Sequence, residues 1–263
     1  MRMSSARYRR PITLSCLAVL TLLTGCAGMT MFDTVDSLMS EGRDLYVAKQ
    51  YDQALAKFEG VIRKDNTYWL AYVYIARCYI AKNDWLAAIG NGRKAFELAP
   101  QGQDVVPVFA EALFGGGLSA LSKGQFSDAV NHLVEYLRLK PTDARAYLSV
   151  GRAYLGTGSY GDALAAFLKG LGQGSEGGLR QELIQGLLDG GATALSKGDA
   201  RAAIDFLLEY VRHDPDNYSA YLNLGKAYWQ SGERFQALNA FRRVLELSPG
   251  NDEALQLLRG LGR

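Results

Sequence analysis

The chain has 263 residues, 48% of them hydrophobic and 21% charged, and a formal net charge of +2. This is the balance of an ordinary soluble globular chain. Nucleic acid is excluded as a partner, because phosphate recognition needs a strong basic excess.

Arg2, Arg7, Arg9 and Arg10 precede an apolar run from Ile12 to Leu23, and no acidic residue lies before position 26. A basic start and a short apolar core are the pattern of an export signal, and the run is too short for a stable membrane span. The run closes on Leu23-Thr24-Gly25-Cys26. These four residues resemble the bacterial lipobox, whose cysteine thiol receives a diacylglycerol before the chain is cut ahead of it. The resemblance implies a signal peptide over 1–25, fatty acyl groups such as palmitate on Cys26, and a tether over 26–34. Ordinary secretory cleavage after the small residues around Cys26 is the alternative. Twin-arginine export at Arg9-Arg10 finds no support in Pro11 and the residues after it. Ala27 follows the lipid site and no Asp retention signal is present, which in a Gram-negative cell implies the periplasmic face of the outer membrane.

From Ala27 to about Thr34 the tether reaches about 27 Å when extended, at ~3.4 Å per residue. Two or three acyl chains hold far more firmly than one, since each buried CH2 adds about 0.8 kcal/mol. Of 29 basic residues the signal removes four, leaving 25 against 27 acidic and a net charge of −2. Cys16 would leave with the signal and Cys26 would carry lipid. Cys78 then stands alone, which rules out an intramolecular disulfide and reads as a small packing residue.

The remaining chain divides into helical hairpins of about 34 residues. The first opens near Val35 and carries Leu38, Gly42, Leu45, Ala54 and Phe58, with Lys49-Gln50 at its turn. The second opens at Trp69 and carries Tyr72, Ile75, Ala76, Tyr79, Ala88, Ala95 and Pro100, with Asn83 able to take a left-handed turn position. Residues 103–109 interrupt the register, and Pro107 suits a first helical turn, so the next helix should start early and run long. The third hairpin holds Leu113, Gly117, Gly124, Ala129, Leu133 and Pro141. The fourth holds Tyr147, Val150, Gly151, Tyr154, Gly158, Ala163 and Phe167. A second insertion at 178–183 precedes the fifth, with Leu187, Gly191, Gly198, Ala203, Leu207 and Pro215. The sixth reads Tyr221-x2-Leu224-Gly225-x2-Tyr228, then Gly232, Ala237, Phe241 and Pro249.

That last pattern resembles the tetratricopeptide repeat (TPR), with Tyr221 in the place of its first Trp. Such a hairpin cannot bury its apolar face alone, so copies must stack and the exposed end needs a cap. Asn251-Asp252 marks the start of a capping helix running to about Leu261. The resemblance implies an all-α, right-handed solenoid of six hairpins, paired over 35–102, 110–177 and 184–251, with a cap over 252–263. Pairing is visible in the sequence itself. Ala120-Leu-Ser-Lys-Gly124 returns as Ala194-Leu-Ser-Lys-Gly198, and Tyr72 and Tyr79 return as Tyr147 and Tyr154.

Chemical motifs are sparse. His132 and His213 sit in different repeats with no further His or Cys beside them, so neither a metal site nor a catalytic group is expected, and no cofactor. Gly172-x-Gly174-x-x-Gly177 satisfies a dinucleotide-binding spacing, but no strand precedes it, so it reads as a linker. Gly115, Gly116 and Gly190 fall inside expected helices at about 1 kcal/mol each against Ala, and are read as softening the helix or opening room for a ligand.

In TPR proteins the first helices line a concave groove. The resemblance places Met39, Val73, Phe114, Leu148, Leu188 and Leu222 in one row and Tyr46, Ile80, Leu121, Leu155, Leu195 and Trp229 in another. Arg43, Arg77, Leu118, Arg152, Ala192 and Lys226 stand between them. An apolar groove with four cations suits an acidic or amphipathic peptide. About half of these residues are expected to pack within their own repeats. The Lys-and-Asn clamp some TPRs use for C-terminal carboxylates is absent from the matching places. In outline the chain is similar to the six-repeat lipoprotein that assists the type IV pilus secretin and to the TPR lipoprotein of outer-membrane barrel assembly. The expectation is a non-enzymatic, lipid-anchored scaffold in an envelope complex. Two rivals stand beside it: a glycan- or peptidoglycan-binding solenoid using Tyr46, Phe114 and Trp229, and an envelope hydrolase or transferase. Oligomeric state is left open.

Overall fold

The computed structural model describes residues 34–262. The expected signal peptide, the lipobox-like stretch with Cys26, and the expected tether up to residue 33 lie outside the described residues. The described chain is helical throughout, with no strand: thirteen helices form six antiparallel hairpins and a final single helix. The hairpins are α1 (Val35–Val47) with α2 (Tyr51–Lys64), α3 (Trp69–Ala81) with α4 (Trp85–Leu98), and α5 (Val105–Ser122) with α6 (Phe126–Leu139). They continue as α7 (Ala144–Thr157) with α8 (Tyr160–Gly172), α9 (Gly177–Ser196) with α10 (Ala200–His213), and α11 (Tyr218–Gln230) with α12 (Arg234–Leu247), and α13 (Asp252–Leu261) follows.

Local sequence explains where the helices start and stop. Thr34, Asp84, Asp143, Asp199, Asn217 and Asn251 each accept a hydrogen bond from a backbone N–H of the helix they precede. Such caps satisfy donors that the helix cannot. Every hairpin turn passes through a left-handed residue: Lys49, Asn83, Gly124, Gly158, Gly198 and Gly232, with φ between 58° and 85°. Glycine takes that conformation without steric cost. Lys49 and Asn83 show that the turn geometry holds even where the glycine is missing.

α5 and α9, with 18 and 20 residues, are the longest helices. Pro107 sits in the first turn of α5, where no intrahelical bond needs its absent N–H. α5 is also long and apolar enough to cross a membrane. Its apolarity has a local cause, since it packs against α4, α6, α3 and α7 together and half of it is buried.

Each helix packs on its partner and on the next hairpin. Beyond that, consecutive first helices all touch: α1 on α3, α3 on α5, α5 on α7, α7 on α9 and α9 on α11. Among the second helices only α8 and α10 meet appreciably. The stack therefore curves with the first helices on its tighter, inner side.

The core runs along the stack as a strip of linked clusters. Phe58, Phe167 and Phe241 are fully buried, and each ring presses on the small residue of its own first helix, at Gly42, Gly151 and Gly225. Leu133 and Leu207 occupy the same place against Gly117 and Gly191. A side chain at Gly115 would overlap the Trp85 ring, and one at Gly190 would lie 2.5 Å from Phe206 Cε1. Gly115 and Gly190 are therefore packing surfaces that rings from neighbouring helices fill, and a side chain at Gly116 would lie 2.7 Å from Ile89 Cδ1, which corrects the softening and ligand-room readings for these three.

Double-repeat periodicity is physical as well as textual. Tyr72 Oη donates to Asn66 O at 3.2 Å and Tyr147 Oη to Pro141 O at 3.1 Å. Tyr136 Oη donates to Asp143 Oδ2 at 2.7 Å, and at the equivalent places 74 residues on Asn217 Nδ2 donates to Tyr210 Oη at 2.9 Å. α13 closes the end, where Arg234 donates to Leu261 O at 2.5 Å and Leu261 and Ala254 join Phe241 and Val244 in the last cluster.

Candidate functional site

The inner face is built from one stripe of each first helix. Its first row is mostly interior. Met39 and Val73 have no exposed surface, and Leu148 and Leu222 keep 5% and 8%. Leu222 packs with Ala237 and Phe241. Phe114 is half-buried with its ring centroid 4.9 Å from that of Tyr136. These side chains point between their own second helix and the next hairpin, so Leu222 is corrected from groove residue to core residue.

The second row is accessible. Leu155, Ile80, Leu121 and Leu195 are half-buried, Leu118 between the rows is 39% exposed, and Trp229 is 41% exposed. A side chain at Gly260 would meet the Trp229 ring at 3.5 Å, so this residue lies where the groove meets the cap. Tyr46 belongs to an aromatic cluster instead. Its centroid is 5.8 Å from Tyr51 and 5.9 Å from Tyr74, and Tyr74 stacks on Phe58 at 5.1 Å. Burial raises the Tyr46 hydroxyl above its ordinary pKa, against a smaller opposing pull from Arg77. With Tyr46 and Phe114 held this way, Trp229 is the open platform among the three aromatics.

The four cations are all engaged. Arg43 Nε donates to Met39 O at 3.2 Å, and its guanidinium lies 6.0 Å from the Tyr74 ring centroid. Arg77 covers the same ring at 5.3 Å and pairs with Asp104 at 2.9 Å. Arg152 pairs with Glu182 at 3.4 Å, and Lys226 with Glu253 at 2.7 Å. Each pair joins the first helix of an even-numbered hairpin to the start of the next inner helix. The spacing of basic residues in the sequence is legible, but the acids that answer them, 27 to 30 positions away, are not. The groove thus offers apolar side chains directly, and the charges of Arg77, Arg152 and Lys226 only where a ligand displaces an internal carboxylate.

His132 and His213 lie on α6 and α10, and the described residues hold no group of three or more His, Cys, Asp or Glu placed to bind a metal. Burial lowers the pKa of His132 despite Asp128 and Glu135 nearby. It borders an outer cleft of about 370 Å³ with Trp85, Lys123 and a floor at Gly116. Gly172, Gly174 and Gly177 span the α8–α9 connection, with a helix rather than a strand before them.

Family models described as tetratricopeptide repeat match residues 39–102, 114–177 and 194–259. DnaJ homolog subfamily C member 3 of Gallus gallus is 24% identical over 234 residues, covering 86% of this chain. The chain spans only 45% of that relative's length. Among solved structures, Naa15/Naa10 bound to HypK-THB matches with a TM-score of 0.54 at 15% identity, over 87% of this chain and 34% of that one. MamA matches at 0.43 and 23% identity over 70% of this chain and 94% of its own. YrrB, described as a TPR protein with an unusual peptide-binding site, matches at 0.39 and 16% over 86% and 92%. The matched segments take in most of the described chain, and it belongs to the tetratricopeptide repeat family.

Proposed function

We propose that the protein is a membrane-anchored scaffold that binds a protein or peptide partner along the inner face of its TPR stack. The observation that carries this reading is the run of accessible apolar side chains, Leu118, Leu155, Leu195 and Trp229, beside cations that are paired but partly exposed. A partner with apolar anchors would bury these side chains, at about 25 cal/mol per Å² removed from water. Its carboxylates would exchange with Glu182 and Glu253. The lipobox resemblance at Cys26 supports anchoring through lipid, on the periplasmic face of the outer membrane, and from there a part in assembling an envelope complex such as a pilus secretin or the barrel-assembly machinery.

Photocrosslinking in cells from probes at Arg152 and Trp229, followed by mass spectrometry, tests the binding reading. One protein partner supports it, and glycan fragments alone overturn it. Anchoring is tested separately: Cys26→Ser should move the protein to the soluble fraction, and retention in the membrane would contradict the lipid site.

A further inference from the structure

The outer face holds a trough that the inner-groove reading does not use. It lies between α6 and α8, adjacent second helices that fail to meet, and encloses about 300 Å³. Its floor is Tyr147, Val150 and Tyr154 of α7, and Val134 and Leu137 form one wall. The opposite wall is Ala165 and Ala166 of α8. At the corresponding step between α8 and α10 a smaller cleft of about 270 Å³ remains beside the buried ring of Phe206.

Two exposed cations flank this apolar floor, Arg138 on α6 and Lys169 on α8. The ion pairs among the described residues engage other cations and leave these two without a carboxylate. Asp162 is the one acid at the rim, so the trough is positive by balance. The inner groove differs, because its cations already hold internal partners.

We propose that the trough docks an acidic amphipathic peptide segment, which inserts an apolar side chain between α6 and α8 and sets its carboxylates on Arg138 and Lys169. A positive rim around an apolar floor favours that chemistry over a neutral or basic segment. The trough is a second surface, on the opposite side of the stack from the inner groove, so the two can be occupied independently.

The test uses the full-length chain in non-ionic detergent, with Val and Leu methyl groups labelled for NMR. The probe is a dodecapeptide of alternating leucine and glutamate, with glutamine and lysine analogues. Saturable shifts are expected at Val134, Leu137 and Val150, with the lysine analogue inactive. Arg138→Glu combined with Lys169→Glu should weaken binding at least tenfold. Ala165→Trp, which fills the trough without changing charge, should do the same. Shifts confined to Leu118 and Leu155 would overturn the proposal while leaving the inner groove in place. Equal binding of the glutamine analogue, indifference to the charge reversal, saturation by dodecanoate alone, or no shifts at millimolar peptide would each overturn it as well.

Discussion

Arg152 on α7 is held by Glu182 on α9 at 3.4 Å, across two successive inner helices. Arg77 with Asp104 and Lys226 with Glu253 repeat that bridge at the other two joints after even-numbered hairpins. Partly exposed pairs of this kind contribute roughly 0–1 kcal/mol each. They are weak as struts, yet they decide how an acidic ligand meets the groove. Glu182→Gln frees Arg152 and should tighten binding of an acidic groove partner, whereas Arg152→Gln should weaken it. Calorimetric titration of the two variants with the crosslinked partner reads both signs, and the same change in both would refute the exchange.

The hairpins were legible because each depends on residues close in sequence. Tyr221, Leu224, Gly225 and Tyr228 lie on one helical face, and Gly232 must close the turn after them. Even the Lys49 turn follows from its neighbours. The inner surface was only partly legible. Leu222 and Trp229 share a helix and fall in neighbouring rows, but the second helix and the cap of the stack cover Leu222 and leave Trp229 open. Acids such as Glu182 act from another repeat, and helical period carries no information about them. The outer trough is lined by side chains of α6, α7 and α8 that lie some thirty residues apart, and no motif records that convergence.

Glycine substitutions separate packing from propensity. Gly90 in α4 faces open space, so Gly90→Ala should stabilise by about 0.5–1 kcal/mol through helix propensity alone. Gly115→Ala gains the same propensity but drives a methyl into the Trp85 ring, and overpacking costs roughly 1–3 kcal/mol. Urea unfolding midpoints should therefore shift upward for Gly90→Ala and downward for Gly115→Ala.

The Tyr136–Asp143 bond makes stability depend on pH at both ends. Burial alone would raise Asp143, but the Tyr136 hydroxyl and the Arg145 N–H and guanidinium outweigh it and hold the carboxyl below its usual range. A lowered carboxylate stabilises above its unfolded pKa of about 4, and that share is lost as pH falls through the folded value. Tyr136 is pushed up to about 12, first by burial and then by Asp143. A raised phenol stabilises fully below its unfolded pKa of about 10, and this share is lost as pH rises through the folded one. Tyr136→Phe should cost about 1 kcal/mol near neutrality and flatten both limbs, as read from urea midpoints across pH.

Cys78 is fully buried, and burial pushes its thiol up to about 12. Thiolate is the reactive form, so iodoacetamide at pH 8 should leave Cys78 untouched in the folded protein and alkylate it in urea. Labelling of the native protein at the rate of the denatured one would show that the α3 packing is not as described.

The inner face as the partner surface is tested most directly by affinity. Leu118→Glu and Trp229→Glu place charge on two inner-face side chains that are 39% and 41% exposed. The partner captured by crosslinking is titrated against the wild type and both variants, with melting temperatures measured alongside. Binding should weaken at least tenfold in each variant, with melting temperatures within a few degrees of the wild type. Unchanged affinity in both, with the fold intact, would contradict the groove as the binding surface.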